Sequence, residues 1–200
     1  MHQFINLVKA YRLYFILVAF FEIIFFLLNF KGNYVRLRNN KKMTDSIPTP
    51  YLFLFNIYLF LKSKKIKSFI DLGCGEGRVI YFFNKFLKIK YVGIEYYKNS
   101  FIFCRSLFKK NKNVKIINDN FLSKNITFNH DVYFINDPFK KNSDFKKLIS
   151  KINNSNKKNK KIYLIFVNIN KTKLKILNKF YLNKYIAINT RGFFIYSNII

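Results

Sequence analysis

Hydrophobic and polar positions divide the chain into two unlike parts. The first holds a nearly unbroken apolar run, LYFILVAFFEIIFFLLNF, from Leu13 to Phe30, with Glu22 as its single charge. Its length suits a helix that crosses a bilayer, which needs about 17–25 apolar residues. A signal peptide has a shorter apolar core and ends in small residues, whereas this run ends in NFKGNYVRLRNNKK. The rival is a buried or interfacial helix, because a charge within lipid is costly. The expectation is a single-pass transmembrane helix.

From Ser68 onward the pattern alternates. Strand-like runs are SFIDL, YVGIE, VKIIN, DVYFIN and KIYLIFVN. Helix-like runs lie between them at Arg78–Phe86, Lys98–Lys110, Ser143–Asn153 and Thr172–Phe180. This order predicts an α/β fold, a parallel sheet with helices on both faces. The end differs, since YIAINTRGFFIYS reads as two strands joined by a tight turn at Asn189–Gly192. MTDSIPTP, Met43 to Pro50, holds two of the three prolines and reads as a linker. YLFLFNIYLFLKSKK then reads as a buried lead-in helix. The expected division is therefore an anchor with basic flanks over 1–42, a linker and lead-in helix over 43–67, and one domain over 68–200.

Charge sharpens the first part of this picture. The chain carries 37 Lys and Arg against 9 Asp and Glu, a net charge of +28. Such an excess suits a polyanionic partner, either nucleic acid or an anionic membrane. Lys, Asn, Ile, Phe and Tyr are inflated together, so A/T-rich coding is the competing explanation. Lys9 and Arg12 precede the apolar run, and Lys31, Arg36, Arg38, Lys41 and Lys42 follow it. The excess on the following side places the rest of the chain in the cytoplasm, and such flanks bind membrane lipid headgroups. The two cysteines, Cys74 and Cys104, form no CxxC pair. Neither a disulfide framework nor a zinc site is expected.

The candidate chemistry begins at FIDLGCGEGRVI, Phe69 to Ile80, which gathers three of the six glycines: Gly73, Gly75 and Gly77. They follow a strand and open a helix, at the edge where doubly wound folds bind ligands. Bare backbone and a helix N-terminus favour close approach of a ligand. The spacing is G-x-G-x-G and not the dinucleotide G-x-G-x-x-G. Asp71 would repel a pyrophosphate and attract the cationic end of an amino acid. The Walker lysine motif is absent, which disfavours nucleotide hydrolysis. Glu95 ends the second strand, at the distance where an acid grips ribose hydroxyls. Asp119, in NDNF after the third strand, can accept from an adenine amino group. Asp71, Glu95 and Asp119 are three of only nine acids in the chain.

DLGCGEGR, GIEYY and NDNF together resemble the class I S-adenosylmethionine-dependent methyltransferases, over roughly Ile47 to Ser197. The resemblance implies a seven-stranded, mostly parallel, Rossmann-like sheet closed by an antiparallel strand, with S-adenosylmethionine as cofactor. By it, Asp71, Gly73 and Gly75 hold the methionine end, Glu95 the ribose and Asp119 the adenine. Cys74, Gly77 and Asn120 complete the cofactor-binding set, with Cys74 a small structural residue of the loop.

NDPF, Asn136 to Phe139, ends the fourth strand and resembles the acceptor motif of amino-methylating enzymes. That implies catalytic positions at Asn136, Asp137, Pro138 and Phe139. The polar residue and a backbone carbonyl receive the target nitrogen, and the aromatic ring packs against it. Asp137 stands where the commoner motif has proline, and could steer a cationic substrate or act as a base. A plain strand-to-loop turn is the alternative. His130 reads as a loop residue. The apolar run, PTP and DLGCGEGR also resemble the lysine methyltransferases of the mitochondrial ATP synthase c-subunit and their bacterial relatives. That group more often has serine at position 74 and aspartate at 76, and does not typically carry NDPF. The leading expectation is thus a membrane-anchored enzyme acting on a protein lysine. RNA, a lipid-soluble small molecule, and a tethered non-enzymatic module are the alternatives.

Overall fold

The computed structural model describes residues 2–31, 48–156, 160–188 and 191–199. Most of the MTDSIPTP linker and the centre of the C-terminal turn lie outside these residues. Helix α1 spans His2–Leu27 and α2 spans Tyr51–Leu61. Strands and helices then alternate, except that β4 follows β3 directly: β1 (Ser68–Leu72), α3 (Arg78–Phe86), β2 (Lys90–Glu95), α4 (Lys98–Leu107), β3 (Val114–Asn118), β4 (Val132–Asn136), α5 (Asn142–Ser155) and β5 (Tyr163–Val167). A short helix α6 (Lys171–Leu174) with a 3-10 turn leads to β6 (Tyr181–Ile188) and β7 (Arg191–Ser197).

The seven strands form one sheet in the order β3-β2-β1-β4-β5-β7-β6. β1 to β5 pair in parallel, while β7 runs antiparallel to both β5 and β6. The expected sheet and its closing hairpin are therefore present. β1 lies between β2 and β4, so the strand order reverses at its end and opens a crevice there.

Alternation along each central strand feeds two cores. Phe69, Phe134 and Ile165 pack on one face with Phe82 and Phe83 of α3 and Leu54 and Ile57 of α2. Ile70, Tyr133 and Phe166 pack on the other with Phe145, Leu148, Ile149 and Ile152 of α5. Burial on both faces is what turns a strand into a continuous apolar run. The α5 residues recur at i, i+3, i+4 and i+7, the stripe of a helix laid on a sheet.

Two expectations need correction. The helix foreseen at Thr172–Phe180 ends at Leu174 and tightens to a 3-10 turn through Leu177, because β6 begins at Tyr181. More importantly, no helix among the described residues is long and apolar enough to cross a membrane. The Leu13–Phe30 run instead lies against the domain. Phe25 and Phe30 belong to the main core, with Phe25 stacked on Tyr51 at 4.6 Å between ring centroids. Glu22 forks onto Arg78, at 3.1 and 2.8 Å, and accepts from the Tyr51 N–H at 2.9 Å. A charge that is costly in lipid is here a partner for a buried guanidinium.

Candidate functional site

The loop between β1 and α3 sits at the carboxyl edge of the sheet. Gly73, Gly75 and Gly77 have φ of +90°, +52° and +88°, the left-handed region that side chains strain to enter. Gly77 is also crowded, since an added Cβ would lie 2.8 Å from Cys104 Sγ and 3.0 Å from the Phe108 ring. Backbone bonds hold the loop to β2: Gly73 and Cys74 N–H both donate to Ile94 O, at 2.9 and 3.0 Å. Gly75 N–H donates to Glu95 Oε2 at 2.8 Å.

Asp71 is buried at the end of β1, and its Oδ2 has no hydrogen-bond partner. Burial, and then the charge of Glu95, push its carboxyl well above the usual carboxylate range. Orphaned buried acceptors are rare because they are costly, so a donor or cation arriving here meets a prepared partner. Glu95 is also buried and accepts from the Tyr97 N–H at 2.9 Å as well as from Gly75. It therefore braces the glycine loop from the end of β2. Asp119 accepts from the Asn120 N–H and from Ser123 Oγ, while Asn120 Oδ1 accepts from the Leu122 N–H. These two residues build a turn at the end of β3. Asn118, which the sequence reading passed over, links that strand to β2 by donating to the carbonyls of Glu95 and Tyr96.

Cys74 contributes backbone only. Its Sγ lies 3.9 Å from Cys104 Sγ inside the core. That contact, and then burial, push its thiol up, so it is no nucleophile.

NDPF, expected to receive the acceptor, lies beside the loop, since a Cβ on Gly73 would come 3.8 Å from Pro138 Cβ. Asn136 Nδ2 donates to Thr49 Oγ1 at 3.2 Å, and Asn136 Oδ1 accepts from Asn168 Nδ2 at 3.1 Å. Thr49 of the PTP segment, Asn136 of β4 and Asn168 beyond β5 thus form one polar cluster. Thr49 O accepts from Arg78 at 2.9 Å, which ties the cluster to α3. Asp137 is bound by Lys173, whose Nζ lies 2.5 Å from Asp137 Oδ1 and 2.5 Å from Phe139 O. Lys173 is only 1% exposed. Burial raises the Asp137 carboxyl, and the hydrogen bond and charge of Lys173 oppose this. The Phe139 ring is buried edge-on against Phe121, so it packs the core where the sequence reading had it face a target.

Asn168 and Lys173 were not foreseen as site residues, and Asn168 has φ +56°, which composition does not reveal. His130 lies at the opposite, amino edge of the sheet, before β4, and stays outside the site.

Residues 63–185 match the family described as "Methyltransferase domain". Comparison with curated protein sequences finds no match. Solved structures share the fold. The N-methyltransferase NodS from Bradyrhizobium japonicum WM9, in complex with S-adenosyl-L-homocysteine, is 10% identical with a TM-score of 0.62. That match covers 74% of this chain and 86% of NodS. An RNA methyltransferase from Salinibacter ruber, also with S-adenosyl-L-homocysteine, is 14% identical with a TM-score of 0.57, covering 76% and 93%. yhhF from Escherichia coli, named as a methyltransferase, is 12% identical with a TM-score of 0.62, covering 75% and 86%.

Proposed function

The chain belongs to the methyltransferase-domain family, and from that premise we propose that it uses S-adenosylmethionine to methylate a nitrogen acceptor, a lysine of a membrane-associated protein. The observation that carries the cofactor assignment is the buried, unpartnered Asp71 Oδ2 beside three left-handed glycines. Asp71 would hold the cationic end of the cofactor, Glu95 the ribose and Asp119 the adenine. When bound, the cofactor supplies an electrophilic methyl group on a sulfonium, so the chain's own task is mainly placement.

Asn136 supports the nitrogen acceptor. Thr49 and Asn168 fix its amide at the end of β4, next to Pro138 and the glycine loop. The acceptor must arrive with a free lone pair, and a lysine ordinarily titrates near about 10.4. Lys173 occupies Asp137, so we assign the loss of the acceptor's proton to solvent rather than to an aspartate base. The rate is then expected to rise with pH toward the acceptor's own pKa.

The test is transfer of labelled methyl groups from S-adenosylmethionine into a lysate fractionated into protein, RNA and lipid. Label in protein, recovered as methyl-lysine, supports the reading. Label confined to RNA would replace it with the alternative that the net charge of +28 favours.

A further inference from the structure

One surface takes no part in the site. Phe15, Ile16, Phe20, Ile23, Phe26 and Leu27 of α1 are each more than half exposed. At about 100° per residue they fill one arc of about 140° around the helix. Ala19 is the remaining exposed residue of that arc between Phe15 and Leu27, so no polar side chain interrupts it. Scattered exposed hydrophobics need no explanation, but a contiguous set does.

We propose that this face of α1 docks on an anionic lipid bilayer, with the helix lying in the interface and not crossing it. Three observations select that occupant. The face is the convex side of a rod, which hydrocarbon can envelop without a matching groove. Its surroundings in the sequence are basic: residues 1–67 hold eleven Lys and Arg against two acids, Glu22 and Asp45. One of those acids is turned away from the lipid, because Glu22 pairs with Arg78 on the domain side. Apolar burial and attraction to anionic headgroups are the two contributions that hold an interfacial helix.

The same pairing sets the orientation. Glu22, Phe25 and Phe30 bind α1 lengthwise to Arg78, Tyr51 and Phe82 of the domain. A spanning helix would carry these polar partners into hydrocarbon. A helix held alongside the domain places only its outer arc in the lipid. Arg78 directly follows the glycine loop, so the docked helix would set the site close to the bilayer. The inference stands on α1 and not on methyl transfer, and the two fail separately.

The experiment uses the full chain and vesicles of phosphatidylcholine alone or mixed with phosphatidylglycerol, scored by co-flotation. Binding is expected to the mixed vesicles and to weaken with added salt. The variant Ile23→Gln/Phe26→Gln/Leu27→Gln is expected to lose at least about a hundredfold in partitioning, while S-adenosyl-L-homocysteine binding is unchanged. If that variant loses its unfolding transition, Ile16→Gln/Phe20→Gln on the same arc takes its place. Alkaline carbonate is expected to release the bound chain. The proposal is overturned if the wild type ignores both vesicles or if the folded variant binds them equally well. Retention in carbonate would overturn the in-plane placement. A wild-type dimer that the variant converts to monomer would show that a second copy covers the face.

Discussion

Replacing Lys173 by methionine removes a cation from a place that water does not reach. Its Nζ holds both Asp137 Oδ1 and Phe139 O, and the two paired side chains are 2% and 15% exposed. Methionine fills similar volume, so the loss is electrostatic. Breaking one side of a buried pair costs about 3–5 kcal/mol because a charge is left uncompensated. For a chain of this size each kcal/mol lowers the melting temperature by about 2–4 °C. The expected fall at neutral pH is therefore about 6–20 °C by thermal unfolding. Lys173→Met/Asp137→Leu removes the stranded charge and leaves the Phe139 carbonyl without its donor and the Phe139 N–H without its carboxylate acceptor, at about 1–3 kcal/mol for each group so left. The double variant should still be the more stable of the two, because a backbone N–H left unpaired costs less than a buried charge left unpaired. The pH dependence adds a check of sign. Burial, opposed by Lys173, holds the Asp137 carboxyl above its usual range in the folded chain. An ionised Asp137 therefore costs stability above that folded value, and the cost vanishes below the unfolded value of about 3.9. Without Lys173 the folded value climbs further, so the gap between Lys173→Met and wild type should narrow as pH falls. A gap that is equal at about pH 5 and about pH 8, or a double variant no more stable than the single one, would refute the reasoning.

Gly77→Ala should cost about 2–4 kcal/mol, combining a left-handed φ with contacts too short for a Cβ. Adding Cys104→Ala removes the 2.8 Å contact and should restore part of that stability in chemical unfolding, leaving the backbone strain. Burial, and then the charge of Lys160, lower the pKa of His130 to about 4. A folded value below the unfolded one of about 6.5 means that stability is present above about 6.5 and is lost as pH falls toward 4, by about 3 kcal/mol. His130→Phe should flatten that part of the stability–pH curve, with methyl transfer unchanged.

The central sheet was legible because burial on both faces writes itself as continuous apolar runs, as in the fully buried β5. The start of helix α3 at Arg78 was legible because the glycine cluster marks it. Asp71 and Glu95 stood out because acids are scarce in this chain. The fate of α1 was not legible, since an apolar run reads alike whether lipid or protein covers it. What decides is the pairing of Glu22 with Arg78, 56 positions away. Lys173 was hidden for the opposite reason to Asp71: it is one basic residue among 37, and only the fold buries it against Asp137. The start of β6 was missed because an edge strand leaves Tyr181, Leu182 and Tyr185 exposed and so loses the alternation of a covered one.

The claim on which the account rests is that the glycine loop and Asp71 hold S-adenosylmethionine. Its most direct test is calorimetric titration of the purified full chain with S-adenosylmethionine and S-adenosyl-L-homocysteine. The account predicts saturable binding of both to the wild type. In a folded Asp71→Asn variant, affinity should fall about tenfold to a hundredfold, the worth of one hydrogen bond to a charged group. A folded wild type that binds neither compound, or an Asp71→Asn variant that binds as the wild type does, would contradict it.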